Sequence, residues 1–406
     1  MKFDYIRAED YCKSVRDGTH DTPKPTEHGY KLVTGKHVKN GRIDPTDAYY
    51  ISEQDYRKIN ERSLVEQWDV LMSMIGTVGE VAVVKNVPDY AIKNVALFKC
   101  GGSELKGKWL SYYLQSPIAK GHMNGNQKGS SQQFLSLKQL RDLPVMIIDK
   151  FLMQRIVNIL SSYDDLIENN RKQIKLLEEA AQRLYKEWFV DLRFPGHEET
   201  PIVDGVPAGW AYKPLSELFN FVRGKSYTSK ELSDTSGVLM VNLKSIRAFG
   251  GYNRNAEKRF VGKYKDEQSL NPGDLIMGVT DMTKERRLVG HTAIVPDLGE
   301  PMTFSMDLIK LLPINIQKSY LYSSLYYGGF SLKISPFANG VNVLHLKPEV
   351  MMSLQMLVPT EELMKLYKQV FDPIQSKIEL LQKQIDVLSE ARDRLLPKLM
   401  SGEIEV

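Results

Sequence analysis

Two stretches of the chain place apolar residues at intervals that alternate between four and three. The first runs Ile156, Leu160, Tyr163, Ile167, Asn170, Ile174, Leu177, Ala181, Leu184, Trp188. The second runs Tyr367, Phe371, Ile374, Ile378, Leu381, Ile385, Leu388, Arg392, Leu395, Leu399. Only Asn170 and Arg392 break the stripes. A period of 3.5 keeps one stripe turned toward a partner helix, so the pattern predicts two long helices in a coiled coil. The stretches are also copies of each other. Lys172–Leu184 and Lys383–Leu395 lie 211 positions apart and are identical at eight of thirteen positions. Ile167-Glu168 matches Ile378-Glu379 at the same offset. Matched seams favour pairing with each other over two separate amphipathic helices on two cores.

Start and stop signals frame these helices. Ser162 with Asp165 reads as a capping box, and Asp372-Pro373 as a cap before a first-turn proline. Pro195 and Pro397 mark the far ends. Uninterrupted helices are expected over about 163–190 and 373–396, roughly 36–42 Å long at 1.5 Å per residue. That length is near one turn of B-DNA, about 34–36 Å. Short helices at about 150–161 and 361–371 are expected to precede them.

Upstream of each helix the repeat continues more weakly. Gly29–Val38 pairs with Gly237–Ile246, Asp69–Met72 with Asp274–Met277, and Leu135–Lys138 with Leu344–Lys347. Apolar runs such as 81–84, 95–98 and 292–295 are bounded by Gly, Pro, Asn and Asp, which predicts short strands. The expected fold class is α+β: a mixed α/β body, a long helix, a second such body and a second long helix, the two helices antiparallel and the halves related by a pseudo-two-fold. The stretch 194–209, rich in Pro and Gly, reads as a linker.

Composition narrows the classes. The 406 residues are 42% hydrophobic and 26% charged, a globular balance. No run of about 18 apolar residues predicts a membrane span, and the first ten residues lack the apolar core of a secretory signal. The only cysteines are Cys12 and Cys100, which argues against a disulfide framework and for a reducing, cytoplasmic setting. The net charge of +4 hides segregation. Residues 221–265 hold ten basic and three acidic side chains, and residues 102–141 hold six and one. Such blocks suit a polyanion partner; a solvated face is the plainer alternative.

Motifs for chemistry within the chain fall short. Gly102-Ser-Glu-Leu-Lys-Gly107-Lys108 has P-loop spacing, but Trp109 stands where the Mg²⁺-binding hydroxyl belongs. Asp89, Glu104 and Lys106 resemble the carboxylates and lysine of a nuclease, yet Glu104 follows two glycines and is expected in a loop, away from a paired-ion geometry. The seven histidines are scattered without a metal-ligand spacing. No catalytic residue and no metal site is expected.

Taken together the strings resemble the DNA-specificity (S) subunit of Type I restriction-modification enzymes over nearly the whole chain. Val15-Arg-Asp-Gly-Thr-His-Asp21, with Gly29–Thr34 after it, resembles the opening of a target-recognition domain, and Trp68–Gly79 its central strand and turn. Gln154–Leu160 through Lys186–Asp191 resembles a first spacer, Gly209-Trp210 the start of a second recognition domain, and Lys398–Glu403 the usual C-terminus. The resemblance implies target-recognition domains at 1–148 and 210–359, spacer helices at 149–193 and 360–400, and a linker at 194–209. It implies a non-catalytic chain that reads a split target in double-stranded DNA and docks two modification (M) subunits. Those partners would hold S-adenosylmethionine and methylate adenine, and two restriction (R) subunits would add ATP- and Mg-dependent cleavage. A methylation-only or other phage-defence assembly is the alternative within the family; a nuclease or a scaffold without DNA affinity lies outside it.

Base and phosphate contacts call for Lys, Arg, Asn, Gln, Ser and Thr near groove edges. In the first body the candidates are Thr19, His20, Lys36, Lys39, Arg42, Thr77, Gln127, Lys128, Ser130, Ser131 and Gln132. In the second they are Arg223, Lys225, Lys244, Arg247, Arg254, Lys258, Arg259, Lys284, Arg286, Arg287, Asn339 and Asn342. Trp188 and Phe189 end the first spacer, as core aromatics or as part of the M-subunit dock. Asn170 is a candidate for fixing helix register.

Overall fold

The short apolar runs bracketed by Gly, Asn and Asp assemble into one pattern of sheets, used twice. The computed structural model describes residues 3–76, 78–124, 135–249, 251–281, 288–340 and 343–406. The chain divides into two compact units, Met1–Asn170 with Gln384–Val406, and Arg171–Lys383.

In the first unit a four-stranded antiparallel sheet has the order Ser14–Asp17, Val95–Lys99, Val70–Ser73, Val81–Val83. Val95–Lys99 is buried along its whole length, which is why residues 95–98 read as a continuous apolar run without alternation. A second sheet sets Tyr30–Val33 between Tyr50–Ile51 and Tyr90–Ile92, the last pair parallel. Asp4–Arg7 closes the body against Pro144–Ile147. The helix Glu104–Gln115 is capped by Ser103 and buries Trp109, Leu110, Tyr113 and Leu114. A Cβ on Gly107 would lie 2.2 Å from the Trp68 carbonyl oxygen, so this helix approaches the backbone where only glycine fits.

The second unit repeats the order with Phe219–Arg223, Leu308–Pro313, Leu275–Gly278 and Thr292–Ile294. Its other sheet has five strands and again holds a parallel pair, Val238–Val241 with Met302–Phe304. Ala211–Pro214 closes against Gln355–Val358. The weak sequence matches therefore mark equivalent strands: Tyr30–Val33 with Val238–Val241, and Val70–Ser73 with Leu275–Gly278.

The long helices exceed the expected bounds. Each expected short helix is fused to its long successor, giving Lys150–Tyr185, ended by a π turn at Lys186–Val190, and Glu361–Ser401. Ser162 caps nothing: its hydroxyl donates back to the Ile159 carbonyl at 2.7 Å, which satisfies it inside a helix. Pro373 sits inside the second helix. Losing one amide donor there costs about 3 kcal/mol, and burial of Tyr367 and Phe371 just before it offsets that loss.

Each unit holds a segment of both helices. In the first, Ile156 and Leu160 share a core with Leu396, Leu399 and Met400. There Asn170 Nδ2 donates to Gln384 Oε1 at 3.2 Å, and Arg392 Nη1 meets Asp164 Oδ1 at 2.7 Å. In the second, Ala181, Tyr185 and Phe189 share a core with Leu363, Met364, Tyr367 and Phe371. The two interruptions of the stripe are thus polar pairs. Numbers rise along one segment as they fall along the other, so the segments run antiparallel. The seam residues Ile167, Asn170, Leu381 and Ile385 are buried; Ile174, Leu177, Leu184, Ile378, Leu388 and Leu395 are half-buried. Leu166, Leu176, Leu380 and Val387, off the stripe, are exposed.

Candidate nucleic-acid interface

After the first strand of each parallel pair the chain makes one 3-10 turn and enters a hairpin. In the first unit the turn is Gly35–His37 and the hairpin Val38–Lys39 with Arg42–Ile43. Asn40 and Gly41 carry it at φ 52° and 73°, the left-handed pair that a two-residue hairpin turn requires. In the second unit the turn is Leu243–Ser245 and the hairpin Ile246–Arg247 with Gly251–Tyr252. Lys36 and Lys244 occupy equivalent places on the turns, and Lys39 and Arg247 on the hairpins. All four are exposed.

The two turns are secured by different chemistry. His37 Nδ1 accepts the Thr34 amide at 2.8 Å, so its proton sits on Nε2, 3.2 Å from Asp47 Oδ1. Burial pushes the His37 imidazole below its usual pKa, with Asp47 opposing. Asp47 is itself held below the usual carboxylate range, chiefly by its hydrogen bond from Lys36 at 2.9 Å. In the second unit the Asn242 amide donates to Ser245 Oγ at 3.2 Å, which does not titrate.

The other candidates differ in how far they are committed. His20 is exposed, its ring held by Asn94 at 2.7 Å and by buried Asp17 at 3.1 Å. Half-buried Thr19 accepts the Asp21 amide. Lys39 and Lys244 have no side-chain ion pair among the described residues. Arg247 donates to Asn253 Oδ1 at 2.9 and 3.2 Å. Lys258 lies over the Tyr227 ring, 5.3 Å from its centre. Half-buried Lys225 bridges Ser305 through its backbone, and exposed Asn339 bridges His345. Four arginines are paired with carboxylates: Arg42 with Glu168 at 3.4 Å, Arg223 with Glu349 at 2.7 Å, Arg254 with Glu379 at 2.6 Å, and Arg259 with Glu300. Thr77, Gln127, Lys128, Ser130, Ser131, Gln132, Lys284, Arg286, Arg287 and Asn342 lie outside the described residues.

Sequence reasoning missed these carboxylates, because most are far along the chain from their partners. One signal existed: Glu168 and Glu379 recur at the repeat offset. Phe189 is buried against Tyr320 and Tyr367, with ring centres 4.7 and 4.9 Å away, and half-buried Trp188 borders the same cluster. Glu104 begins a helix, not a loop, and pairs with Lys108 at 2.7 Å. Among the described residues no three His, Cys, Asp or Glu side chains gather as metal ligands, and no helix is long and apolar enough to cross a membrane.

Comparison with known proteins agrees with this geometry. Residues 4–179 match the family described as Type I restriction modification DNA specificity domain. The chain is 26% identical over 388 residues to the MjaIX specificity subunit of Methanocaldococcus jannaschii, covering 88% of this chain and 84% of that protein. It is 21% identical to the MjaVIII specificity subunit of the same organism, over 100% and 93%. In fold it is similar to the crystal structure of the S subunit of a Type I system from M. genitalium, with TM-score 0.58, 16% identity and coverage of 98% and 96%. The duplicated sheets, the paired long helices and these likenesses point one way: residues 4–179 match a Type I restriction modification DNA specificity domain, and nearly the whole chain is similar to specificity subunits of Type I restriction enzymes.

Proposed function

We propose that the chain reads a bipartite target in double-stranded DNA, one half through each recognition body, and that its long helices set the distance between the halves. In this reading residues 1–148 and 210–359 are the recognition domains, 149–193 and 360–400 the spacers of an antiparallel coiled coil with pseudo-two-fold symmetry, and 194–209 the linker. One observation carries it: two bodies of like topology present basic side chains at equivalent points, Lys36 and Lys39 in one, Lys244 and Arg247 in the other. Thr19, His20, Lys225, Lys258 and Asn339 extend the two surfaces, together with the candidates outside the described residues. Lysine and arginine supply phosphate attraction, and the polar side chains supply base readout.

The chemistry is left to partners. Two M subunits would carry S-adenosylmethionine and dock along the spacers, with Trp188 at the margin of that dock. R subunits would supply the ATP- and Mg-dependent step. The two free, buried cysteines suit a reducing cytoplasm. Footprinting of the chain with its M subunits tests the proposal. Two protected half-sites about one helical turn apart are expected; a single contiguous footprint would refute it.

A further inference from the structure

In each unit, one turn of a long helix grips two segments of the recognition body by charge. In the first unit Glu168 Oε2 meets Arg42 Nε at 3.4 Å, and Asp165 Oδ1 meets Lys85 Nζ at 3.6 Å. In the second unit Glu379 Oε1 accepts from Arg254 Nη2 at 2.6 Å and from the Asp297 amide at 3.3 Å. Lys383 Nζ there donates to Asp297 Oδ2 at 2.7 Å.

The glutamates of the two grips are equivalent in place. Glu168 and Glu379 stand 211 residues apart, at the offset of the repeat. Arg42 begins the return strand of its hairpin, and Arg254 follows the return strand of the matching hairpin. Lys85 and Asp297 each follow the outermost strand of the four-stranded sheet, Val81–Val83 or Thr292–Ile294. The second contact differs between the units: Lys85 meets Asp165, three residues before Glu168, and Asp297 meets Lys383, four residues after Glu379. What recurs is the glutamate, at the repeat offset, with its arginine. The Arg254 side chain is only 10% exposed, which leaves little of its guanidinium for an outside anion.

We propose that Glu168 and Glu379 are positioning residues: through Arg42 and Arg254 they hold each basic hairpin against its long helix, and those two arginines are not phosphate ligands. This rests on the DNA reading given above. The hairpins carrying Lys39 and Arg247 then meet DNA at an angle set by the helix, and loss of a grip lets the hairpin swing.

The test uses the full chain assembled with its M subunits. The probes are a labelled duplex bearing the motif read from the methylome of an expressing host, and a scrambled duplex. Anisotropy titrations are run between 50 and 200 mM salt for wild type, Arg254→Met, Glu379→Gln and the double variant. The single variants and the double are expected to lower the ratio of target to scrambled affinity by the same amount, about tenfold, since one interaction is being broken three ways. The slope of log affinity on log salt stays at the wild-type value. Arg254→Glu with Glu379→Arg restores the ratio, which separates positioning from misfolding. The proposal is overturned if Arg254→Met lowers the slope by about 0.9, the mark of one lost phosphate contact, or if Glu379→Gln leaves the ratio unchanged. A wild-type assembly with no salt dependence would instead sink the DNA reading itself.

Discussion

Replacing Asp69 by alanine should cost the first unit far more than the same change at Asp274 costs the second, although both begin the matched Asp-Val-Leu-Met and Asp-Leu-Ile-Met strings. Asp69 is fully buried. It accepts the Glu66 amide at 2.8 Å, the Cys100 amide at 3.0 Å and Lys99 Nζ at 2.7 Å. Lys99 is buried too, with the Leu64 carbonyl at 2.8 Å and the exposed Glu66 carboxylate nearby. Asp69→Ala therefore leaves two amides without their acceptor and takes from a buried ammonium the buried one of its two carboxylates. Breaking a buried pair from one side costs about 3–5 kcal/mol. Asp274 is only half-buried and accepts the exposed Asn271 amide at 2.9 Å. Leu312, exposed, stands where the second sheet would need its lysine. Losing one turn hydrogen bond is worth about 0.5–1.5 kcal/mol. Native-state hydrogen exchange reads the two units separately. Protection of the Val95–Lys99 amides should fall by roughly 10²–10⁴ in Asp69→Ala, at 1.36 kcal/mol per tenfold. Protection of the Leu275–Gly278 amides should fall by about tenfold or less in Asp274→Ala. Equal small losses in both variants would refute the argument that the buried lysine sets the difference.

Other outcomes follow from the same structure. The His37 turn should be pH-sensitive and its counterpart should not. Burial depresses the folded pKa of His37 despite Asp47, so its share of stability is present above the ordinary value of about 6.5 and is lost as pH falls through the lower folded value. An NMR titration of the ring should show the depressed midpoint, and His37→Ser, copying Ser245, should remove the acid sensitivity of DNA binding; an unshifted midpoint contradicts this. Lys39→Ala and Lys244→Ala should each reduce the salt slope of DNA binding by about 0.9, and an unchanged slope would remove that residue from the DNA surface. Pro373→Ala supplies the missing amide inside a continuous helix and should raise the melting temperature by several degrees, on the order of 2–4 °C per kcal/mol; no rise means the helix gains nothing from that amide. Deleting residues 396–406 removes Leu396, Leu399 and Met400 from the first core, and limited proteolysis should then cleave that unit while Arg171–Lys383 resists. Equal resistance of both units would contradict the assignment of that core.

Long-range period was the legible part of this sequence. A 3.5-residue stripe survives any local detail, so both long helices and the repeat could be read from spacing alone. Local signals misled where tertiary packing overrode them. Ser162 with Asp165 has the letters of a cap, but a serine can also satisfy itself on a carbonyl three residues back. Asp372-Pro373 has the letters of a helix start, but Tyr367 and Phe371 are already packed in a helix before it. Strand order was beyond reach, because Tyr30–Val33 pairs with Tyr90–Ile92 across sixty residues without any turn to declare it. A basic side chain is legible by its charge, and charge does not say which arginine has a carboxylate waiting 125 residues away, as Arg254 does in Glu379.

The last turns of the final helix lie in the core of the body that begins the chain. Closing that core therefore joins segments more than two hundred residues apart, whereas the second unit draws its core from one continuous stretch, Ala181 to Phe371. The entropy of so long a loop is a cost that the first unit bears and the second does not.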